Sequence, residues 1–155
     1  MIHSKHLVRL VPVIFLAATL FAVDQAPYDE TADAHQQVAS AIAEASKAQK
    51  NVVLVFGANW CGDCRALNEQ MHKDELAALI ASNYEVVKID VGRFNKNKDI
   101  AAKYHVPLAH GIPTLAVLGP GGTVLYAMDQ GQFSNARSMS YESIRDFFAK
   151  WVPKK

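Results

Sequence analysis

The chain is poor in cysteine. It has two in 155 residues, and both fall in one Cys-x-x-Cys step, Cys61 and Cys64. Exported domains that use disulfides as scaffolding usually carry four or more cysteines at wide spacing. A bridge at this short spacing closes a tiny loop and restrains little of the unfolded chain. The pair is therefore a poor staple, and chemistry explains it better. Charge of one sign is also lacking, since 16 basic residues face 15 acidic ones. No basic excess argues for nucleic acid, and no run of like charge reads as an interaction tail. No apolar run reaches the roughly 18 residues that favour a membrane-spanning helix. Internal repeats and low-complexity tracts are absent. What remains is enough for one domain with a core of its own, half of its residues being hydrophobic.

The N-terminus carries an address. Lys5 and Arg9 precede an apolar run from Leu10 to Val23, the layout of a secretory signal peptide. Ala22 and Ala26 are candidate last residues, although Leu20 and Asp24 stand where small residues are preferred. The expectation is a signal peptide, or an uncleaved N-terminal anchor, over 1–26 and a domain over 27–155. Either delivers the domain out of the cytoplasm, to the periplasm or its equivalent. No cysteine near the apolar run offers a lipid attachment point. The part after residue 26 has 14 basic and 14 acidic residues, so steering of a strongly charged partner is not indicated.

Hydrophobic periodicity gives the order of elements. Residues 24–32 read as a polar linker. Val38, Ala41, Ile42 and Ala45 mark a helix over 33–49, capped by Asp33 or Thr31. The continuous run Val52 to Phe56 fits a strand buried on both faces. A helical stretch follows the cysteine pair to about Ala81, with a break near 72–74, and a second strand runs over 85–91. This is a strand–helix–strand unit of the kind a parallel crossover requires. Loops over 92–98 and 105–111 flank a short helix at 99–104. Strands at 114–118 and 123–128 form a hairpin about Gly119-Pro120-Gly121-Gly122. Residues 130–139 read as a long polar loop. Ser140 opens a last helix with Ile144, Phe147, Phe148 and Trp151 on one stripe. The sum is an α/β fold, a central sheet with helices on both faces.

Cys61 follows a buried strand and stands at the start of a helix. The first backbone N–H groups of a helix are unpaired and its dipole is positive there. A thiolate is favoured in that place, and the thiolate is the attacking species. Cys64, one turn on, is within reach of the first sulfur. Cys61 is thus expected to form a mixed disulfide with a partner, and Cys64 to resolve it. A structural zinc site usually needs four ligands, and His72, His105 and His110 show no recognisable spacing for the remainder. A c-type haem attachment needs His directly after the second cysteine, where this chain has Arg65.

The stretch Val53-Leu54-Val55-Phe56-Gly57-Ala58-Asn59-Trp60-Cys61-Gly62-Asp63-Cys64 resembles the active-site strand and loop of the thioredoxin superfamily. Downstream, Gly111-Ile112-Pro113-Thr114 is similar to that family's loop with a cis proline. The resemblance covers roughly residues 33–152. It is strongest toward exported bacterial thioredoxin-like proteins, disulfide-isomerase-like ones included. It implies a thioredoxin-like fold with a mixed sheet of four to five strands. It also implies thiol–disulfide exchange on protein substrates, reductase or isomerase rather than primary oxidase, with no cofactor beyond the Cys61–Cys64 couple and no metal. Implied partners are protein thiols or disulfides and a redox protein, a membrane electron transporter among the candidates. A monomer is the default.

Residue by residue, the resemblance implies that Trp60 flanks Cys61 and shields the sulfurs, that Pro113 is cis against the pair, and that Ile112 and Thr114 bind substrate, Ile112 by backbone pairing. There are departures. Gly62 and Asp63 replace the family's usual active-site proline. Asp63 brings negative charge beside the sulfurs, which disfavours a thiolate. Val55 occupies the place of a buried acid, so proton transfer at Cys64 falls to water or another group such as Asp63. His105 and His110 are expected to be solvated loop residues. Two other readings stay open: a copper-handling or partner-binding module using two soft thiols, and an interaction domain with an inert bridge.

Overall fold

The computed structural model describes residues 26–154. The expected signal sequence falls almost wholly outside them. Helix α1 spans Ala34–Ala48, and Asp33 caps it by accepting the Gln36 amide at 3.1 Å. Strand β1 (Asn51–Gly57) leads through a tight turn into α2 (Gly62–Met71). The expected break separates α2 from α3 (Asp74–Asn83), which runs into β2 (Tyr84–Asp90). The remainder is α4 (Lys98–Lys103), β3 (Thr114–Leu118), β4 (Val124–Ala127) and α5 (Tyr141–Lys150), the last capped by Ser140.

The described strands form one mixed four-stranded sheet in the order β2-β1-β3-β4. β1 pairs parallel with β2, with Leu54 opposite Val87, and antiparallel with β3, with Leu54 opposite Ala116. A central strand covered on both faces must be apolar at every position, not at alternate ones. That is why Val52 to Phe56 read as a continuous run, and all of it is buried. Val52, Leu54 and Phe56 face a core with Val38 and Ala45 of α1 and Ile100 of α4. Val53 and Val55 face a second core with Leu67, Leu76, Ile144 and Phe148 from α2, α3 and α5. Helices thus cover both faces. Tyr84 fastens β2 to α5 by donating its hydroxyl to the Phe148 carbonyl at 2.5 Å.

Two segments read as polar connections are built into the cores. Tyr28, in the expected linker, is buried in the first core. Residues 130–139 hold a 3-10 turn, Ala136–Ser138, and bury Phe133 and Ala136 in the second. Phe133 packs edge-on against Phe147, with ring centroids 5.0 Å apart. Single apolar residues in a segment with neither periodicity nor a continuous apolar run leave no pattern to read. The 105–111 loop likewise contains a short 3-10 turn, Leu108–His110.

Candidate active site

Strand β1 ends at Gly57, and Cys61 follows as the N-cap of α2. Its sulfur takes the place that a serine or aspartate oxygen takes at other helix starts. The Cys64 amide donates to Cys61 Sγ at 3.1 Å, so one unpaired N–H of the first turn points at this sulfur. Cys61 and Cys64 are joined as a disulfide, with Cα atoms 5.2 Å apart. Cys64 is 1% exposed and Cys61 5%. Both are buried, Cys61 slightly less so.

The Ile112–Pro113 bond is cis. The Ile112 carbonyl oxygen lies 3.5 Å from Cys61 Sγ. The two motifs lie 51 residues apart in sequence, and the pairing of β1 with β3 brings them together. Thr114 enters the sheet opposite Phe56 and is 1% exposed. Its hydroxyl is buried without a hydrogen-bond partner.

Trp60 is 44% exposed. Its indole N–H donates to the Gly92 carbonyl at 2.8 Å, its ring meets Phe94 edge-on, and Arg93 lies 4.7 Å from the ring centroid. The resemblance implied a cover for the sulfurs. These contacts tie Trp60, beside Cys61, to the 92–94 loop. His105 and His110 are exposed, and neither bonds to the pair. Among the described residues, no group of three or more His, Cys, Asp or Glu side chains converges on a point that could hold a metal ion.

Asp63 lies in the first turn of α2. The backbone amide of Arg137 donates to Asp63 Oδ1 at 2.9 Å, and the guanidinium Nη2 lies 3.1 Å from Oδ2. Partial burial pushes this carboxyl up, but the Arg137 amide and guanidinium outweigh it and hold the carboxyl below its usual range. A carboxylate so engaged is a poor proton acceptor for Cys64.

Sequence reasoning missed three residues at the site. Tyr28 lies under the pair: a β-carbon on Gly57 would stand 2.9 Å from Cys64 Sγ and would overlap the Tyr28 hydroxyl. Burial first, and then the Asp90 carboxylate, pushes that hydroxyl well above the ordinary tyrosine range, so it stays protonated as a donor. Asn59 holds Tyr28 in place through its side-chain amide. Arg137 reaches the site from a loop 74 residues beyond Asp63. None has a spacing signal, and Asn59 alone stood in a quoted motif.

This geometry has known counterparts. A family model described as thioredoxin-like matches residues 33–120. The crystal structure of a disulphide isomerase from Xylella fastidiosa Temecula1 is 48% identical, with a TM-score of 0.79 over 81% of this chain and 96% of that one. A thioredoxin from Thermus thermophilus superposes with a TM-score of 0.54 at 18% identity over 72% of this chain and 81% of that one, a likeness of fold alone. A Mycoplasma genitalium thioredoxin is 35% identical over 78 residues, 50% of this chain and 68% of that protein. A probable nucleoredoxin 3 of Oryza sativa subsp. japonica is 34% identical over 94 residues, 48% of this chain but 20% of that protein. The chain thus spans only a fifth of the nucleoredoxin it matches.

Proposed function

Because the chain belongs to the thioredoxin-like family, we propose that it is a thiol–disulfide oxidoreductase that reduces or isomerises disulfides of protein substrates through Cys61 and Cys64. One observation carries the reading. Cys61 Sγ caps α2, accepts the Cys64 amide and faces the Ile112 carbonyl. The helix-end amide favours a nucleophilic thiolate, and a backbone edge beside the sulfur can pair with an extended substrate segment.

In the reduced protein, the Cys61 thiolate attacks one sulfur of a substrate disulfide. A mixed disulfide forms and the other substrate sulfur leaves as a thiolate. Cys64, deprotonated, attacks Cys61 Sγ. The second substrate thiol is released and the Cys61–Cys64 disulfide remains, two electrons having passed to the substrate. A dithiol donor must then reduce the pair by the reverse exchange. In isomerisation, a second substrate thiol resolves the mixed disulfide instead, and no net electrons move. The Ile112 backbone beside the cis proline supplies hydrogen bonds to an extended chain whatever its sequence, which suits a protein with many substrates.

The relative described as a disulphide isomerase supports the isomerising half of the reading. The N-terminal pattern supports work in the cell envelope; the donor proposed there is a membrane electron transporter, and the acting species a monomer. Insulin reduction with dithiothreitol as donor tests the reductase activity, and reactivation of scrambled ribonuclease tests the isomerase. Cys61→Ser should leave only the background rate in both. Turnover by that variant equal to the unaltered protein would refute the reading.

A further inference from the structure

The loop 129–139 touches both walls of the site. On one side Arg137 binds the Asp63 carboxylate by amide and guanidinium. The guanidinium also covers Gly62: a β-carbon there would stand 3.2 Å from Nη1. On the other side a β-carbon on Gly111 would stand 3.0 Å from Ser134 Cβ, and Gly131 (φ 62°) packs against the His110 carbonyl. The loop therefore bridges the dipeptide between the cysteines and the segment that leads to Ile112. Phe133 and Ala136 anchor it in the second core.

We propose that Arg137 is a positioning residue that sets the acidity of the Cys61 thiol, by cancelling the charge of Asp63 at the N-terminus of α2. The inference deepens the oxidoreductase reading and rests on it for its biological meaning. Cys61 Sγ is the cap of α2, and Asp63 sits in its first turn. Both anions draw on the same positive helix end. Left alone, the Asp63 carboxylate would disfavour a thiolate beside it. Arg137 is 67% exposed at its side chain, yet it reaches Asp63 by two contacts and lies over the intervening glycine. The pair Asp63–Arg137 is thus neutral as Cys61 meets it. The other charged groups nearby are otherwise placed. Asp90 pairs with Lys96 at 3.0 Å, Arg93 stacks on Trp60, and the side chains of Arg65 and His110 are exposed, Arg65 meeting Cys61 only through its backbone amide, which donates to the Cys61 carbonyl at 3.2 Å.

The test is a charge cycle on the full chain: Arg137→Gln, Asp63→Asn, the double variant and Arg137→Lys. Thiolate absorbance of the reduced protein reads the Cys61 pKa, and equilibration with glutathione reads the stability of the disulfide. Arg137→Gln should raise the pKa and cut the thiolate fraction at neutral pH about three- to tenfold. Asp63→Asn should lower the pKa by a similar factor. The double variant and Arg137→Lys should return near the starting value. The glutathione equilibrium should follow, Arg137→Gln favouring the protein disulfide and Asp63→Asn the dithiol. Structural damage alone would move both single variants the same way. Shifts of the same sign, or no shift in Asp63→Asn, would overturn the proposal. Since pKa and equilibrium are read without a substrate, these shifts would stand even if the unaltered protein failed to reduce insulin. That second failure would remove only the oxidoreductase reading.

Discussion

The side-chain amide of Asn59 holds the backbone of Tyr28 by both of its ends. Asn59 Oδ1 accepts the Tyr28 amide at 3.0 Å, and Nδ2 donates to the Tyr28 carbonyl at 2.8 Å. Nδ2 also lies 3.0 Å from Glu30 Oε1. Asn59 stands two residues before Cys61, so the turn that carries the nucleophile also fastens the entering chain. Asn59→Ala strands a Tyr28 amide and carbonyl that are partly buried. The expected cost is about 1–3 kcal/mol, measured by chemical denaturation of the oxidised protein. A loss within about 0.5 kcal/mol, the range of ordinary surface substitutions, would mean that Tyr28 is held by its ring packing alone.

Gly57 is where the tyrosine ring and the inner sulfur meet. No side chain fits over its Cα without moving one of them. Gly57→Ala should destabilise the protein by about 1–3 kcal/mol through overpacking. Tyr28→Phe in the same background removes the hydroxyl that overlaps the new methyl and should recover part of the loss. Thermal denaturation of the unaltered protein and both variants would show it. Equal melting temperatures for Gly57→Ala and the unaltered protein would contradict the contact.

Depth assigns the two cysteines different fates on mutation. Cys61 is 5% exposed and caps α2, and Cys64 is 1% exposed inside the first turn. Cys64→Ser keeps the attacking thiol and removes the resolving one, so mixed disulfides with substrate should accumulate. Non-reducing electrophoresis after mixing with a disulfide-bonded substrate would reveal them as species cleaved by dithiothreitol. Cys61→Ser should trap few or none. Trapping by Cys61→Ser in preference would reverse the order of attack.

The Asp63–Arg137 contact also gives stability a dependence on acid. The folded carboxyl is held below its ordinary value of 3.8, so the folded state binds its proton less readily than the unfolded one. Its contribution is complete above that ordinary value and is lost as pH falls through the lower, folded one. Asp63→Asn should therefore flatten the fall in stability between about pH 4 and pH 2 while changing little of the curve's shape above about pH 5. Denaturant midpoints across that range would decide. A parallel curve for the variant would assign the acid sensitivity to other carboxylates.

Much of the architecture was legible because its signals are local. Val52 to Phe56 announced a strand covered on both sides, and the break before Asp74 divided α2 from α3. The Asp33 and Ser140 caps fell where the patterns began. The cysteines stood out by their scarcity and spacing. The errors lie where a contact is long-range and the segment has no period. In the sequence Tyr28 reads as linker and Phe133 as polar loop, since one apolar residue among polar ones is indistinguishable from an exposed one until something packs on it.

The sequence by itself determined that Cys61 stands at a helix start behind a buried strand, because strand, turn and helix are adjacent in the chain and each obeys nearest-neighbour rules. The tertiary structure alone decided what surrounds that sulfur. Sheet pairing carried Ile112 to Cys61 from 51 residues away, and the loop before α5 carried Arg137 to Asp63 from 74. On sequence grounds Asp63 opposed the thiolate. In the fold it is paired. A charge is weighed by what lies across from it in space, and no spacing along the chain records that.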